Sequence, residues 1–302
     1  MHKIHFSASP EIVAAARPTP GAGQLLIRTE LVGVHLGLLR LLRSGGTDAG
    51  AEVVGTVVAV GPGVDEGWVG KAVGGIVFEG AYAEFALALP QLVAELPAGV
   101  DPADGLAVVR GGLVALGALR AGRFGAGDSI LISGAASGSG HLAVQLARAF
   151  GAKRLVAAAG SMDKARFLEE CGADEVRTYD QLGAERFDVV LDGLGGDFVQ
   201  RGVASLAPHG RLVAYSAGGG SVDAGSLLAE LKTVTGFSMG LLGRERPELV
   251  RAYRDELWNL LAQGRIRPRH TVFPFDRIAE AMDLVAARRN VGRVAVRVGA
   301  AG

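Results

Sequence analysis

The stretch "SGAASGSGHLAVQLARAFGA", residues 133–152, follows an apolar run and leads into an amphipathic one, with four glycines across it. A strand that turns through tiny residues into a helix start is the arrangement that cradles a pyrophosphate. Small residues let the backbone approach the phosphates, and unpaired N–H groups at the helix end supply donors and positive potential. Set against G-x-G-x-x-G, residues 135–140 read Ala-Ala-Ser-Gly-Ser-Gly, with Ala135 and Ser137 replacing the first two glycines and Gly140 kept. The turn alone also fits a strand packed tightly on a helix, so its surroundings decide what it holds.

Those surroundings alternate. "DSILISGA" (128–135), "RLVAAA" (154–159), "FDVVLDGLG" (187–195) and "GRLVAYSAG" (210–218) read as strands, with helices over 140–151 and 163–172. In the first helix Ala143, Leu146, Ala147 and Phe150 share a stripe, with Gln145 and Arg148 off it. Apolar strands alternating with helices predict a doubly wound parallel α/β sheet, buried on both faces. The first hundred residues differ. "QLLIRTELVGV" (24–34), "AEVVGTVVAVGPGV" (51–64) and "GAYAEFALALP" (80–90) predict short strands stopped by Gly and Pro. "DPADGLAVVRGGLVALGALRAG" opens on an Asp cap and a Pro at the first helical position, and predicts a largely buried helix. The tail, 271–298, predicts a helix and one more strand.

At 302 residues the chain is long enough for two domains. Its 31 basic and 31 acidic residues cancel, which gives a nucleic-acid or anionic-membrane partner no electrostatic support. A single cysteine, Cys171, excludes a disulfide framework and a multi-cysteine metal site. The start has no signal-peptide pattern and no apolar run approaches 18 residues, so a soluble cytoplasmic protein is expected.

The end of the strand at 154–159 bears on cofactor choice. An NAD site places Asp or Glu there for the ribose hydroxyls, whereas here Ser161, Met162, Asp163 and Lys164 follow. A hydroxyl and an ammonium suit a 2′-phosphate, which favours NADPH; Ser161 or Asp163 also fits a plain helix cap, with Lys164 solvated. Residues Ser133, Gly134, Gly138 and Gly140 match the T-G-x-x-x-G-x-G turn of short-chain dehydrogenases as well. That reading fails, because the turn is not near the N-terminus and no tyrosine is followed four positions later by lysine.

With these segments placed, the sequence resembles the zinc-independent medium-chain dehydrogenases/reductases of the quinone oxidoreductase and enoyl reductase branch. The segments that carry the likeness are "GTVVAVGPGV", "GAYAEF", "GAASGSGHLAVQLARAFGA", "CGADEVRTYD", "FDVVLDGLGG", "LAPHGRLVAYSAG", "TVTGFSMG" and "NVGRVAV", in that order along nearly the whole chain. The resemblance implies a mainly β GroES-like catalytic domain from residues 1–103 and 265–302, and a Rossmann NADPH-binding domain over 104–264. It implies that Ser137, Gly138, Ser139 and Gly140 line the pyrophosphate, that Ser161 and Lys164 bind the 2′-phosphate, and that Tyr179 flanks it. Phe237 and Asn290 match positions near the nicotinamide, and Ser216 sits at the mouth of the sheet. The late strands imply a homodimer.

The departures concern the substrate. The Gly-His-Glu segment that supplies a metal ligand in zinc alcohol dehydrogenases reads Gly50-Ala51-Glu52, and the cysteine-rich lobe is missing, so no metal is expected. The G-V-N-F-x-D segment of the branch reads "GVHLGLL", with His35 for Asn and Leu38 for Asp. Thr-Ala-Tyr beside the nicotinamide reads Val114-Ala115-Leu116, with Arg110 just before it in an apolar run. His35, with a pKa near neutrality, is a candidate to protonate a carbon or polarise a carbonyl, and otherwise a structural histidine. Arg110 is a candidate to bind a substrate carboxylate or phosphate, or else snorkels from a helix edge; Tyr82 packs. The implied activity is NADPH-dependent reduction of a small conjugated acceptor (enone, alkenal, enoyl thioester) or a quinone, with His35, Arg110 and Ser216 as the candidate catalytic set. The alternative is a cofactor-binding paralogue with a non-redox or regulatory role.

Overall fold

β-branched runs cut by Gly and Pro build the first third of the chain: strands β1 (His2–Phe6), β2 (Pro10–Ala14), β3 (Leu25–Val34), β4 (Ala51–Val60), β5 (Ala72–Val77), β6 (Phe85–Ala88) and β7 (Val93–Glu95), with helix α1 (Leu36–Arg43) between β3 and β4. This is a computed structural model, and it describes residues 1–7, 9–215 and 218–299. The segment 80–90 forms strand only in its second half, since Gly80 turns the chain at φ 64° and Pro90 opens a 3-10 turn.

Asp101 caps α2 (Pro102–Ala107), its carboxylate accepting the Ala103 N–H at 2.8 Å. The helix then widens into a π turn, Val108–Gly112, before resuming as α3 (Leu113–Ala121). Contrary to the expectation of no long apolar run, Pro102–Ala121 is long and apolar enough to cross a membrane by length and composition. Its few charged residues leave the mean hydropathy at 1.3. It lies 78% buried inside the protein, which is the environment of a core helix.

From β8 (Ser129–Ser133) strands and helices alternate: α4 (Gly140–Ala149), β9 (Arg154–Ala159), α5 (Ala165–Glu170), β10 (Glu175–Thr178), β11 (Phe187–Asp192), α6 (Asp197–Ala204), β12 (Leu206–Ala214), α7 (Ala224–Leu228) and β13 (Thr233–Gly236), then α8 (Met239–Glu245) and α9 (Pro247–Ala262). All six strands pair in parallel, in the order β10-β9-β8-β11-β12-β13. The order reverses between β8 and β11, and in such sheets ligands bind at the carboxyl ends of the strands flanking that reversal. Leu131, Val156, Val190 and Leu212 are fully buried in this core. The stripe on α4 is wider than its spacing predicts, because Gln145 is buried too. Its amide donates to the Arg267 carbonyl at 3.1 Å and its Oε1 accepts the Arg267 N–H at 2.6 Å, so neither polar atom is left unpaired.

The last segment adds β14 (His270–Pro274), α10 (Ile278–Ala286) and β15 (Arg293–Arg297) to the first. Their sheet runs β14-β15-β3-β4-β5-β7, with β6 also on β3 and β1–β2 a separate antiparallel pair. The fold is thus α/β, a parallel Rossmann sheet and a separate β-rich sheet. The two compact units are Met1–Arg110 with Arg269–Gly302, and Gly111–Pro268. Their division falls inside the π turn and after Pro268, later than the sequence boundaries at 103/104 and 264/265. It does so because α2 packs on β3, β4 and β14.

Candidate functional site

In the parallel-sheet unit, β8 ends at Ser133 and Gly134 turns the chain at φ 61°, a conformation open to glycine. Gly140 starts α4 so close to that turn that a Cβ would overlap the Gly134 carbonyl and Ala135. Ser137 stiffens the loop, its N–H donating to Gly134 O at 2.9 Å and its Oγ accepting the Gly140 N–H at 3.0 Å. Among the described residues the amides of Gly138 and Ser139 find no acceptor in the protein. The structure therefore brings Ser137, Gly138, Ser139 and Gly140 together as a tight loop. Two unspent N–H groups precede a ten-residue helix at the carboxyl end of β8. That donor set fits a diphosphate.

Ser161, Lys164 and Tyr179 gather at the carboxyl ends of β9 and β10. The Ser161 Oγ accepts the Asp163 N–H at 3.2 Å and so caps the 3-10 turn Met162–Lys164. Lys164 is half-buried, and desolvation holds its ammonium below the usual lysine pKa. The Tyr179 ring lies beside Gly160 and edge-on to Phe198, centroids 5.9 Å apart. Phe237 follows β13, and its ring fills the space a Cβ on Gly117 of α3 would take. Asn290, in the β-rich unit, donates to the Gly292 carbonyl at 3.0 Å and holds the turn into β15. Ser216 lies outside the described residues. The sequence reading missed Tyr215, at the end of β12, whose buried hydroxyl has no partner among the described residues and sits against Gly193. Burial pushes that phenol above its ordinary pKa.

In the β-rich unit the sequence candidates His35 and Arg110 converge on Glu52. Glu52, on β4, is completely buried and ion-paired with Arg293, on β15. Its other oxygen, Oε2, is 3.6 Å from Arg110 Nε and 4.0 Å from His35 Nε2. Gly33, on β3, makes the pair possible, since any Cβ there would overlap Glu52 Oε1 and Arg293 Nη2. Tyr82 closes the floor, donating its hydroxyl to the Gly33 carbonyl at 2.7 Å while its ring packs edge-on against Phe6 at 5.2 Å.

His35 caps α1, its Nδ1 accepting the Leu38 N–H at 3.2 Å. Its pKa is not near neutrality. Burial, then the charges of Arg110 and Arg293, hold it well below the usual 6.5, so the ring is neutral. Arg110 rides on the π turn, a helix irregularity frequent at functional sites. It makes no hydrogen bond among the described residues, because 3.6 Å to Glu52 exceeds an N–H···O bond.

These groups do not fit a zinc ion. Glu52 already faces two guanidiniums, the His35 Nδ1 is spent on its cap, and no three His, Cys, Asp or Glu side chains converge among the described residues.

Residues 138–255 match the family described as zinc-binding dehydrogenase. A mycobacterial protein solved in complex with NADPH superposes at a TM-score of 0.88, with 28% identity, over 99% of this chain and 100% of that one. The family match and this superposition support a medium-chain dehydrogenase/reductase. A quinone oxidoreductase of Pseudomonas syringae pv. tomato, 26% identical, gives the same TM-score of 0.88 over 98% of this chain and 99% of its own. The mycocerosic acid synthase-like polyketide synthase of Mycolicibacterium smegmatis is 29% identical in a match that covers 96% of this chain and 15% of that protein. The chain thus spans a small part of the length of that relative.

Proposed function

We propose that this medium-chain dehydrogenase/reductase is a zinc-independent, NADPH-dependent reductase of a small acceptor, either a conjugated C=C or a quinone. The observation that carries the reading is the pair of unspent amides, Gly138 and Ser139, ahead of α4 at the strand-order reversal. The quinone oxidoreductase and the NADPH complex among its structural relatives support it.

NADPH, when bound, supplies the hydride. The chain's own residues do the rest. The amides of Gly138 and Ser139 at the N-terminus of α4 hold the diphosphate, and Lys164 with Ser161 meets the 2′-phosphate against the Tyr179 ring. Without a metal, the acceptor's own conjugation must carry the developing charge, which favours acceptors whose charge spreads into an enolate. The proton reaches the α-carbon from solvent. His35, neutral and with its Nε2 buried, is a positioning residue that caps α1 beside Glu52.

A fluorescence titration with NADPH and with NADH tests the cofactor half of the reading. Saturable binding that favours NADPH supports it, followed by NADPH oxidation with an enone or a quinone. Failure to bind either nucleotide removes it.

A further inference from the structure

We propose that the cluster around Glu52 is a carboxylate-binding site, and that the acceptor is a conjugated carbonyl compound bearing a carboxylate held by Arg110. The acceptor role of the cluster rests on the reductase reading; the anion site does not.

The argument is a count of charges. One carboxylate, Glu52, faces two guanidiniums, Arg293 and Arg110. Tyr82 is a neutral phenol whose proton already serves the Gly33 carbonyl. His35 is neutral, for the physical reasons given above. The cluster therefore carries one surplus positive charge. Its position follows from exposure: the Arg293 side chain is 9% exposed and paired with Glu52, whereas that of Arg110 is 36% exposed. A partly desolvated guanidinium without a full partner is costly, and an incoming anion relieves that cost.

The charge count also selects among anions. One surplus charge is matched by one carboxylate, while a phosphate monoester carries close to two negative charges at neutral pH. The planar fork of Arg110, with no protein hydrogen bond among the described residues, suits a planar carboxylate bidentately. The approach of Glu52 to Arg110 is at Nε, 3.6 Å away, and the Arg110 side chain keeps part of its surface in solvent, where a ligand can reach it.

In a suitable probe, 4-oxopent-2-enoate, the ketone activates the double bond and the carboxylate takes no part in bond making. Hydride from NADPH adds to the carbon β to the ketone, and a proton adds to the α-carbon. The products are 4-oxopentanoate and NADP⁺.

The test has two arms. Calorimetry without cofactor compares 4-oxopentanoate with its methyl ester, which removes the charge and adds one methyl group. We expect the acid to bind about tenfold more tightly, and Arg110→Gln to erase that preference while Arg110→Lys retains part of it. Steady-state reduction then compares 4-oxopent-2-enoate with its methyl ester, with the acid favoured in kcat/KM by a similar factor. Equal binding of acid and ester by the wild-type chain overturns the proposal, and so does a preference that survives in Arg110→Gln. The wild-type comparison needs no variant, so a poorly folded Arg110→Gln chain leaves the test intact. An acid preference without any NADPH oxidation sinks the reductase reading and keeps the anion site. Reduction of both probes without preference does the reverse.

Discussion

His35 Nε2 stands 4.0 Å from Glu52 Oε2 while its Nδ1 accepts the Leu38 amide at 3.2 Å, so the ring is fixed as the Nε2–H tautomer beside a buried carboxylate. Burial and the charges of Arg110 and Arg293, both gathered at Glu52, make a positive charge on the ring unfavourable. In a pH titration followed by histidine ring NMR, His35 is therefore expected to stay neutral through pH 6.5, the midpoint of an ordinary histidine.

The consequence for stability has a definite sign. A histidine whose folded pKa lies below its unfolded value binds more protons in the unfolded chain, so its stabilising contribution is present above pH 6.5 and is lost as pH falls toward the folded value. His270 works oppositely: its hydrogen bond to Asp104 raises its pKa, so its contribution is present below pH 6.5 and lost as pH rises through the folded value. His35→Asn keeps a capable N-cap and removes only the first effect. In urea unfolding, the wild type's advantage over His35→Asn is expected to shrink between pH 7.5 and pH 5, a window set by that depressed pKa. An advantage that grows on acidification would contradict the neutral ring.

Glu52→Gln leaves Arg293 buried without its counter-charge. Removing one member of a buried pair costs about 3–5 kcal/mol, and replacing both members by apolar groups is far milder. Glu52→Gln is thus expected to lower the urea midpoint steeply, and Glu52→Gln with Arg293→Met to regain much of the loss. If the double variant were as unstable as the sum of its parts, the two residues would not be coupled.

Gly33 is a steric requirement of that pair. Gly33→Ala puts a methyl group where Glu52 Oε1 and Arg293 Nη2 meet, on a strand held between β4 and β15. The expected loss is about 3 kcal/mol or more, the cost of parting a buried ion pair. Tyr82→Phe deletes only the hydrogen bond to the Gly33 carbonyl and is expected to cost about 1 kcal/mol. Thermal melts of the two variants side by side would show whether this ranking holds.

Much of this architecture is legible in the sequence, because local pattern and tertiary role agree there. Apolar strands alternating with helices gave the parallel sheet, and tiny residues between "ILIS" and "HLAVQLARA" gave the loop at α4. What stayed hidden depends on pairing at a distance. Glu52 in "AEVVG" and Arg293 in "GRVAV" are single charges inside apolar strands, each too costly to bury alone, and that shared anomaly was the available signal. The π turn at Arg110 was invisible because so dense an apolar run has no clear helical phase to interrupt. Gln145 looked like a surface residue until the Arg267 backbone supplied both of its partners.

β13 is an edge strand, paired only with β12 among the described residues. An uncapped edge offers a row of backbone donors and acceptors to a second chain. Sedimentation equilibrium is expected to return a species heavier than the 31.0 kDa chain, as a homodimer would. A monomer at all concentrations would rule that assembly out.

Ser161 separates capping from cofactor choice. Its Oγ accepts the Asp163 N–H, so Ser161→Ala loses a cap, worth about 1 kcal/mol, as well as a hydroxyl for the 2′-phosphate. Ser161→Asp keeps the cap, since aspartate is as good an N-cap as serine, but sets a negative charge where the 2′-phosphate is proposed to lie. The same carboxylate is suited to the free ribose hydroxyls of NADH. Ser161→Asp is therefore expected to melt close to the wild type while its preference moves from NADPH toward NADH by about tenfold or more, the effect of one repulsive contact of about 1.4 kcal/mol. Fluorescence titration with both nucleotides reads the ratio directly. If the ratio is unchanged in Ser161→Asp and falls in Lys164→Met, the phosphate is held by Lys164 and Ser161 is only a cap.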